Sequence, residues 1–212
     1  DACLAEVFGN FGTRDEATER EVFASLKAES ISYQYGTVKP SSIRTVFASL
    51  QVDGSDVFTD VGSGVGNIVL QVYADTPVRV ARGIELVRSR HEEAMEHIGL
   101  FRRKYNTDPK REIRLINADA CKEDYSDSTI VFAASQCYTP EVMECLRISC
   151  ESNPNLKYLI SQQPLPRTSL RHLGDIVDLK TSWSQSEQVS IYSNVPGTRL
   201  RQRQGVLVDE AA

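Results

Sequence analysis

The 212-residue chain carries a net charge of -5, with 41% hydrophobic and 25% charged residues. That length supports one substantial domain with a covered core, or one domain with a small appendage. The acidic balance excludes a nucleic-acid binder that depends on its global charge, and no stretch approaches the ~18–20 apolar residues of a membrane span. The opening DACLAEVFGNFGTRDEATER lacks the basic start and apolar run of a secretory signal. Five cysteines (3, 121, 137, 145 and 150) show no Cys-x-x-Cys spacing, and the three histidines are scattered. No metal site is therefore expected, and free thiols in a reducing, intracellular setting are. Basic residues cluster at Arg102, Arg103 and Lys104 and again at Arg199, Arg201 and Arg203. Such clusters form solvated faces or weak contacts to nucleic-acid phosphates.

In chain order, residues 14–29 predict a helix, with Glu16 and Arg20 as a favourable i,i+4 pair. Residues 30–40 read as a loop ending at Pro40, and SSIRTVFASL (41–50) as a helix opened by a serine cap. VFTDV (57–61) predicts a strand, followed by a glycine loop and a helix over NIVLQVYAD (67–75). Then come strand 78–86, a long charged helix 88–106, strand 112–119, strand 128–135, helix 140–152 and strand 156–163. After these the texture changes to mixed strands, IVDLKTSWS and QVSIYSNV. Strands alternating with helices through short links predict one doubly wound α/β domain, with helices on both faces of a mostly parallel sheet.

The stretch DVGSGVGNIVLQV (60–72) carries the chemistry. A glycine-rich turn between a first strand and a helix places backbone N–H groups and a positive helix end beside a ligand. The spacing Gly62-x-Gly64-x-Gly66 departs from the G-x-G-x-x-G of dinucleotide folds, and no Gly-Lys-Ser/Thr follows as in a P-loop. It is the G-x-G-x-G of S-adenosylmethionine enzymes. Asp60 closes the first strand, near the expected methionyl ammonium; Glu85 closes the second, where a carboxylate accepts bonds from ribose hydroxyls. Asp119 closes the third, within reach of an adenine amino group. S-adenosyl-L-methionine is the expected cofactor and S-adenosyl-L-homocysteine the product.

For the methyl acceptor, Ala134-Ser135-Gln136 after the fourth strand lacks the Asn/Asp-Pro-Pro-Tyr/Phe of amino-methylating DNA enzymes. Gln136 before Cys137 does not match the nucleophile of cytosine-5 enzymes, and Glu141 and Glu144 read as helix-start charges rather than a guanidinium clamp. Aromatics stand in the irregular segments: Tyr33, Tyr35, Tyr138, Trp183 and Tyr192. An aromatic channel strips water from a lysine ammonium, lowers its pKa and leaves a neutral amine to attack. Direct displacement then needs alignment and no covalent intermediate.

YQYGTVKPSSI, DVGSGVGNIVLQV, RGIEL, IVFAAS followed by YTPEV, and TSWSQSEQVSIY together resemble the non-SET histone H3 lysine methyltransferases, the disruptor-of-telomeric-silencing family. The resemblance covers residues 33–195 and is nearest to the compact trypanosome-type members. It implies a Rossmann-like class I methyltransferase fold with a mostly parallel seven-stranded sheet and an N-terminal helical extension. It assigns cofactor binding to Tyr35, Gly36, Thr37, Val38, Asp60, Gly62, Ser63, Gly64, Gly66, Asn67, Glu85, Asp119 and Ala120, and a lysine channel to Tyr35, Tyr138, Trp183 and Tyr192. The implied activity is methylation of a lysine in the globular core of histone H3, with the nucleosome as partner, weak DNA contact through the basic clusters, no membrane, and the nucleus as location. The expected division is an extension and closing loop at 1–40, a catalytic domain at 41–198 and a basic tail at 199–212.

Three positions depart from the family pattern. Ala134-Ser135-Gln136 stands for Asn-Asn-Phe, Ser161-Gln162-Gln163-Pro164-Leu165 for Ser-Lys-Pro-Phe, and Ala120 for an aromatic. They bear on channel shape and on the number of methyl groups added. Alternatives from other classes are a methyltransferase of RNA or a small metabolite, and a non-catalytic histone-binding module.

Overall fold

Short, fully apolar runs become the central strands, because a strand covered by helices on both faces needs no polar alternation. A computed structural model describes residues 38–182 and 184–201. The expected helix at 14–29 and the loop with Tyr33, Tyr35, Gly36 and Thr37 lie outside the described residues, as do Trp183 and Arg203. The strands are β1 (Val57–Val61), β2 (Val80–Glu85), β3 (Glu112–Asn117), β4 (Ile130–Ala133), β5 (Tyr158–Ser161), β6 (Arg171–Leu179) and β7 (Glu187–Ser193). The helices are α1 (Pro40–Ala48), α2 (Asn67–Asp75), α3 (Arg88–Lys104) and α4 (Pro140–Glu151), with a short 3-10 turn at Ser135–Cys137.

All seven strands join one sheet in the order β3-β2-β1-β4-β5-β7-β6. β1 to β5 pair in parallel, whereas β7 runs antiparallel to β5 and β6. The chain therefore reverses its direction of spread at β1, the switch point where open α/β sheets form their binding crevice. On one face Phe58, Phe132, Tyr158 and Ile160 pack with residues of α1, α2 and α3. On the other, Val61, Val131, Ala133 and Leu159 pack with Met143 and Leu146 of α4.

The helix expected at 41–50 starts instead at Pro40, with Lys39 as its cap residue and no side-chain cap bond. Proline suits the first turn because its missing N–H has no partner there. Ser42 accepts the Lys180 N–H at 2.7 Å and donates to the Lys180 carbonyl at 3.0 Å, tying α1 to the end of β6. β6 begins at Arg171, before the expected Ile176; its first residues are exposed on the sheet edge, so they carry no apolar signal. The basic residues from Arg199 onward begin packed on the domain: Tyr158 donates to the Arg199 carbonyl at 3.1 Å, and the Arg201 N–H reaches Ser49 at 2.8 Å.

The expectation of free thiols throughout is corrected. Cys121, beyond β3, and Cys145, in α4, form a disulfide with Cα atoms 5.7 Å apart. The sheet order brings the two segments together, which spacing along the chain does not reveal. The thiol argument for a reducing compartment falls with it. Cys137 and Cys150 are free.

Phe58 is fully buried and meets Phe47 edge-on, ring centroids 5.6 Å apart. Phe58→Ala is expected to lower unfolding stability in urea by about 3–5 kcal/mol through the cavity it leaves. Ile148→Ala, at a side chain 54% exposed, is expected to stay within about 0.5 kcal/mol.

Candidate active site

The glycine loop leaves β1 at Val61 and delivers the chain to α2 at Asn67. Gly62, Gly64 and Gly66 all adopt positive φ, at 75°, 54° and 81°, a region that a Cβ penalises. A Cβ on Gly66 would stand 3.3 Å from the Ala94 Cβ, and one on Gly62 would collide with the Tyr138 hydroxyl. α3 buttresses the loop from behind through Ala94 and through His97, whose Nδ1 lies 3.0 Å from the Val65 carbonyl.

The loop spends its N–H groups on the protein. Gly62 and Ser63 donate to the Ile84 carbonyl at 2.9 and 3.0 Å, and Gly66 to the Ser63 carbonyl at 2.9 Å. Gly64 donates to Glu85 Oε2 at 2.7 Å, while Glu85 Oε1 takes the N–H of Val87, the cap residue of α3, at 2.8 Å. This corrects the expectation that these amides face a ligand. With these four amides committed to the protein they form no anion cradle, which argues against a phosphate group held by them.

What remains open toward the crevice is an acceptor. Asp60 is 2% exposed, and its Oδ1 has no hydrogen-bond partner among the described residues. Burial, and then the charge of Glu85, push its carboxyl well above the ordinary carboxylate range. The half-buried Asn67 likewise has an Oδ1 without a partner. A buried carboxyl with an unpaired oxygen, next to a second carboxylate and an unpaired amide oxygen, makes a site complementary to a positively charged ligand. A methionyl ammonium and a sulfonium carry such charge.

Tyr138 follows the 3-10 turn and donates its hydroxyl to the Val61 carbonyl at 2.5 Å. Burial and the nearby Asp60 and Glu85 push its phenol well above its usual pKa, so it stays neutral. Asp60, Gly62, Ser63, Gly64, Gly66, Asn67, Glu85 and Tyr138 thus converge at the carboxyl ends of β1 and β2. Asp119 lies just past β3, half-buried, where it accepts the Cys121 N–H at 3.0 Å and pairs with Lys122 at 3.1 Å; Ala120 is half-buried against the apolar cluster that holds Val61, Ile84 and Met143. Val38 is buried and bridges to Thr181.

Tyr192 is not brought to the glycine loop. It is buried in the core under α4, its hydroxyl accepting the Leu165 N–H at 3.0 Å and its ring 5.1 Å from that of His172. Sequence reasoning missed the network behind Tyr138. Ser135 and Ser161 hydroxyls meet at 2.9 Å, and Gln163 N–H donates to Ser135 at 2.8 Å. The Gln163 side-chain amide reaches the carbonyls of Ser135 at 2.5 Å and Tyr138 at 3.0 Å. The only signal for it in the sequence is the unusual polar content of these segments.

Asp60→Asn is expected to stabilise the free protein at neutral pH. A carboxyl whose folded pKa lies above its unfolded value of 3.8 contributes stability below that value and loses it as pH rises through the folded pKa. Thermal unfolding from pH 4 upward should therefore show the wild type falling further behind the variant as pH rises, until the carboxyl is fully ionised.

The sheet superposes on solved methyltransferases. An RNA methyltransferase from Salinibacter ruber, in complex with S-adenosyl-L-homocysteine, matches with a TM-score of 0.56 at 19% identity over 81% of this chain and 98% of that one. A putative RNA methyltransferase from Pyrococcus horikoshii gives 0.54 at 12% identity over 74% and 83%. At such identities the likeness concerns the fold, which is that of class I S-adenosylmethionine-dependent methyltransferases. In sequence the chain is 28% identical over 191 residues to a Drosophila melanogaster histone-lysine N-methyltransferase, H3 lysine-79 specific, covering 80% of this chain and 10% of that protein. It is 24% identical over 144 residues to a Dictyostelium discoideum protein of the same description, covering 63% and 8%. The chain thus spans a tenth or less of the length of these relatives. Residues 18–171 match the model of the family described as histone methylation protein DOT1, and the chain belongs to that family.

Proposed function

We propose that this chain is the catalytic domain of a histone-lysine N-methyltransferase that uses S-adenosyl-L-methionine on a lysine in the globular core of histone H3 within nucleosomes. The observation that carries the reading is the buried Asp60 with an unpartnered oxygen beside Glu85, at a loop whose three glycine amides bond within the protein. Such a site favours a cationic ligand over an anionic one. The family match and the two relatives described as specific for H3 lysine-79 support the histone as acceptor.

When bound, S-adenosyl-L-methionine supplies an electrophilic methyl group on a sulfonium. Asp60 would hold its methionyl ammonium against the loop of Gly62, Ser63, Gly64 and Gly66, with Asn67 as a further acceptor, and Glu85 would border the ribose. Asp119 and Ala120 would border the adenine, and Tyr35, Gly36, Thr37 and Val38 would close over the cofactor. Tyr138, held neutral, presents a rigid phenol edge that excludes water from the amine; Tyr35 and Trp183 complete the channel, and Tyr192 supports it from the core. A desolvated lysine loses its proton to solvent, so no side chain is assigned as general base. The acidic balance of the chain steers a basic histone, while Arg102, Arg103, Lys104 and the Arg199 cluster touch DNA phosphates weakly. Residues 1–40 form the extension and closing loop, 41–198 the catalytic domain and 199–212 the tail. The nucleus is the site of action.

The test is transfer of tritiated methyl from S-adenosylmethionine to recombinant nucleosomes, free histone H3 and bulk RNA in parallel. Label is expected in a core-domain peptide of histone H3 from nucleosomes. Gly64→Arg should reduce it to background, because a long side chain at φ 54° fills the crevice. Label on RNA alone would sink the lysine reading.

A further inference from the structure

A second buried acceptor lies across the sheet from Asp60. Gln162 is only 6% exposed, and its Oε1 has no hydrogen-bond partner among the described residues. An amide oxygen buried without a donor is costly in a folded protein. Its retention points to a donor that arrives with a ligand.

Its position follows from strand register. Asp60 pairs with Phe132 and Phe132 with Ile160, while Val61, Ala133 and Ser161 form the next rung. Gln162 extends the ladder by donating its N–H to the Ala133 carbonyl at 3.4 Å. Side chains alternate along a strand, so Gln162 shares the face of Ile160, Phe132 and Phe58, which is also that of Asp60. Two strand spacings separate β1 from β5, roughly 10 Å. Between them, just past the end of β4, the same face carries Ala134, too small to divide the space.

The Gln162 backbone is fixed by its neighbours. Ser161 donates to the Gln163 carbonyl at 2.7 Å, and Gln163 is anchored to the turn that carries Tyr138. The crevice therefore has a carboxylate pair at one end, a buried amide oxygen on a fixed backbone at the other, and the Tyr138 loop beside both.

We infer that Gln162 accepts a hydrogen bond from the nitrogen that receives the methyl group, positioning the acceptor rather than the cofactor. The inference rests on the methyltransferase reading above. A lysine amine has N–H bonds to give, and one held by Gln162 has its lone pair turned along a fixed direction. The residue is a positioning group: it makes no bond to the transferred carbon and takes no proton.

The experiment measures kcat and KM of wild type, Gln162→Leu and Gln162→Glu on nucleosomes and on bulk RNA, together with their calorimetric affinities for S-adenosylhomocysteine. Gln162→Leu should keep wild-type affinity for S-adenosylhomocysteine and lose about tenfold in kcat, the effect of one hydrogen bond. Gln162→Glu, which keeps an acceptor, should restore kcat. An unchanged kcat in Gln162→Leu would overturn the inference, as would an equal loss in S-adenosylhomocysteine affinity. If the wild type labels RNA and not nucleosomes, the histone reading fails and the same kcat comparison on RNA decides the role of Gln162. If the wild type labels neither, both fall together.

Discussion

One carboxylate sets the polarity of the site. Glu85 receives the N–H of Gly64 through one oxygen and that of Val87 through the other, joining the loop after β1 to the start of α3. Bonds from N–H groups to an ionised carboxylate are about twice as strong as neutral ones, so the loop is held firmly despite its three glycines. The three glycine amides of the loop are bonded within the protein, and Asp60 is left facing the crevice with an unpaired acceptor oxygen. The spacing that sets the loop apart from a phosphate cradle in sequence is matched by an acidic socket in the fold.

That arrangement carries a thermodynamic conflict that binding resolves. Asp60 is buried next to a carboxylate already committed to structure, and burial and that charge together push its carboxyl above the ordinary carboxylate range. A cationic ligand opposes that shift. Tyr138 meets the same field and remains a neutral phenol, its hydroxyl locked to Val61. Site chemistry and fold stability are thus coupled at one residue, while α3 and the Ser135, Ser161 and Gln163 network hold the walls. The same face offers Gln162 as a second acceptor for a nitrogen donor.

Much of this was legible in the sequence where local chemistry decides structure. β1, the glycine loop and α2 follow from an apolar run, three glycines that need left-handed backbone, and an amphipathic segment; the observed bounds Val57–Val61 and Asn67–Asp75 match the reading. Asp60 and Glu85 were recognisable from their places at strand ends. What sequence could not convey depends on partners far along the chain. Lys39 rather than a serine caps α1 while Ser42 bonds to Lys180, the Cys121–Cys145 pair exists because the segment after β3 meets α4 in space, and Tyr192 belongs to the core under α4. The direction of the loop amides was also invisible, since glycine spacing fixes a turn but not whether Glu85 reaches back to it. Gln162 and Gln163 stood out as departures from the family pattern, yet only burial distinguishes an unpaired acceptor from a structural staple.

A cationic ligand should lower the raised pKa of the buried Asp60 carboxyl. Calorimetric titration of S-adenosylmethionine into wild type and Asp60→Asn, in buffers of different ionisation enthalpy, counts the protons exchanged on binding. Over a range of about pH 5 to 8, the wild type should release more protons than the variant. Equal proton counts for the two proteins at every pH in that range would contradict the account.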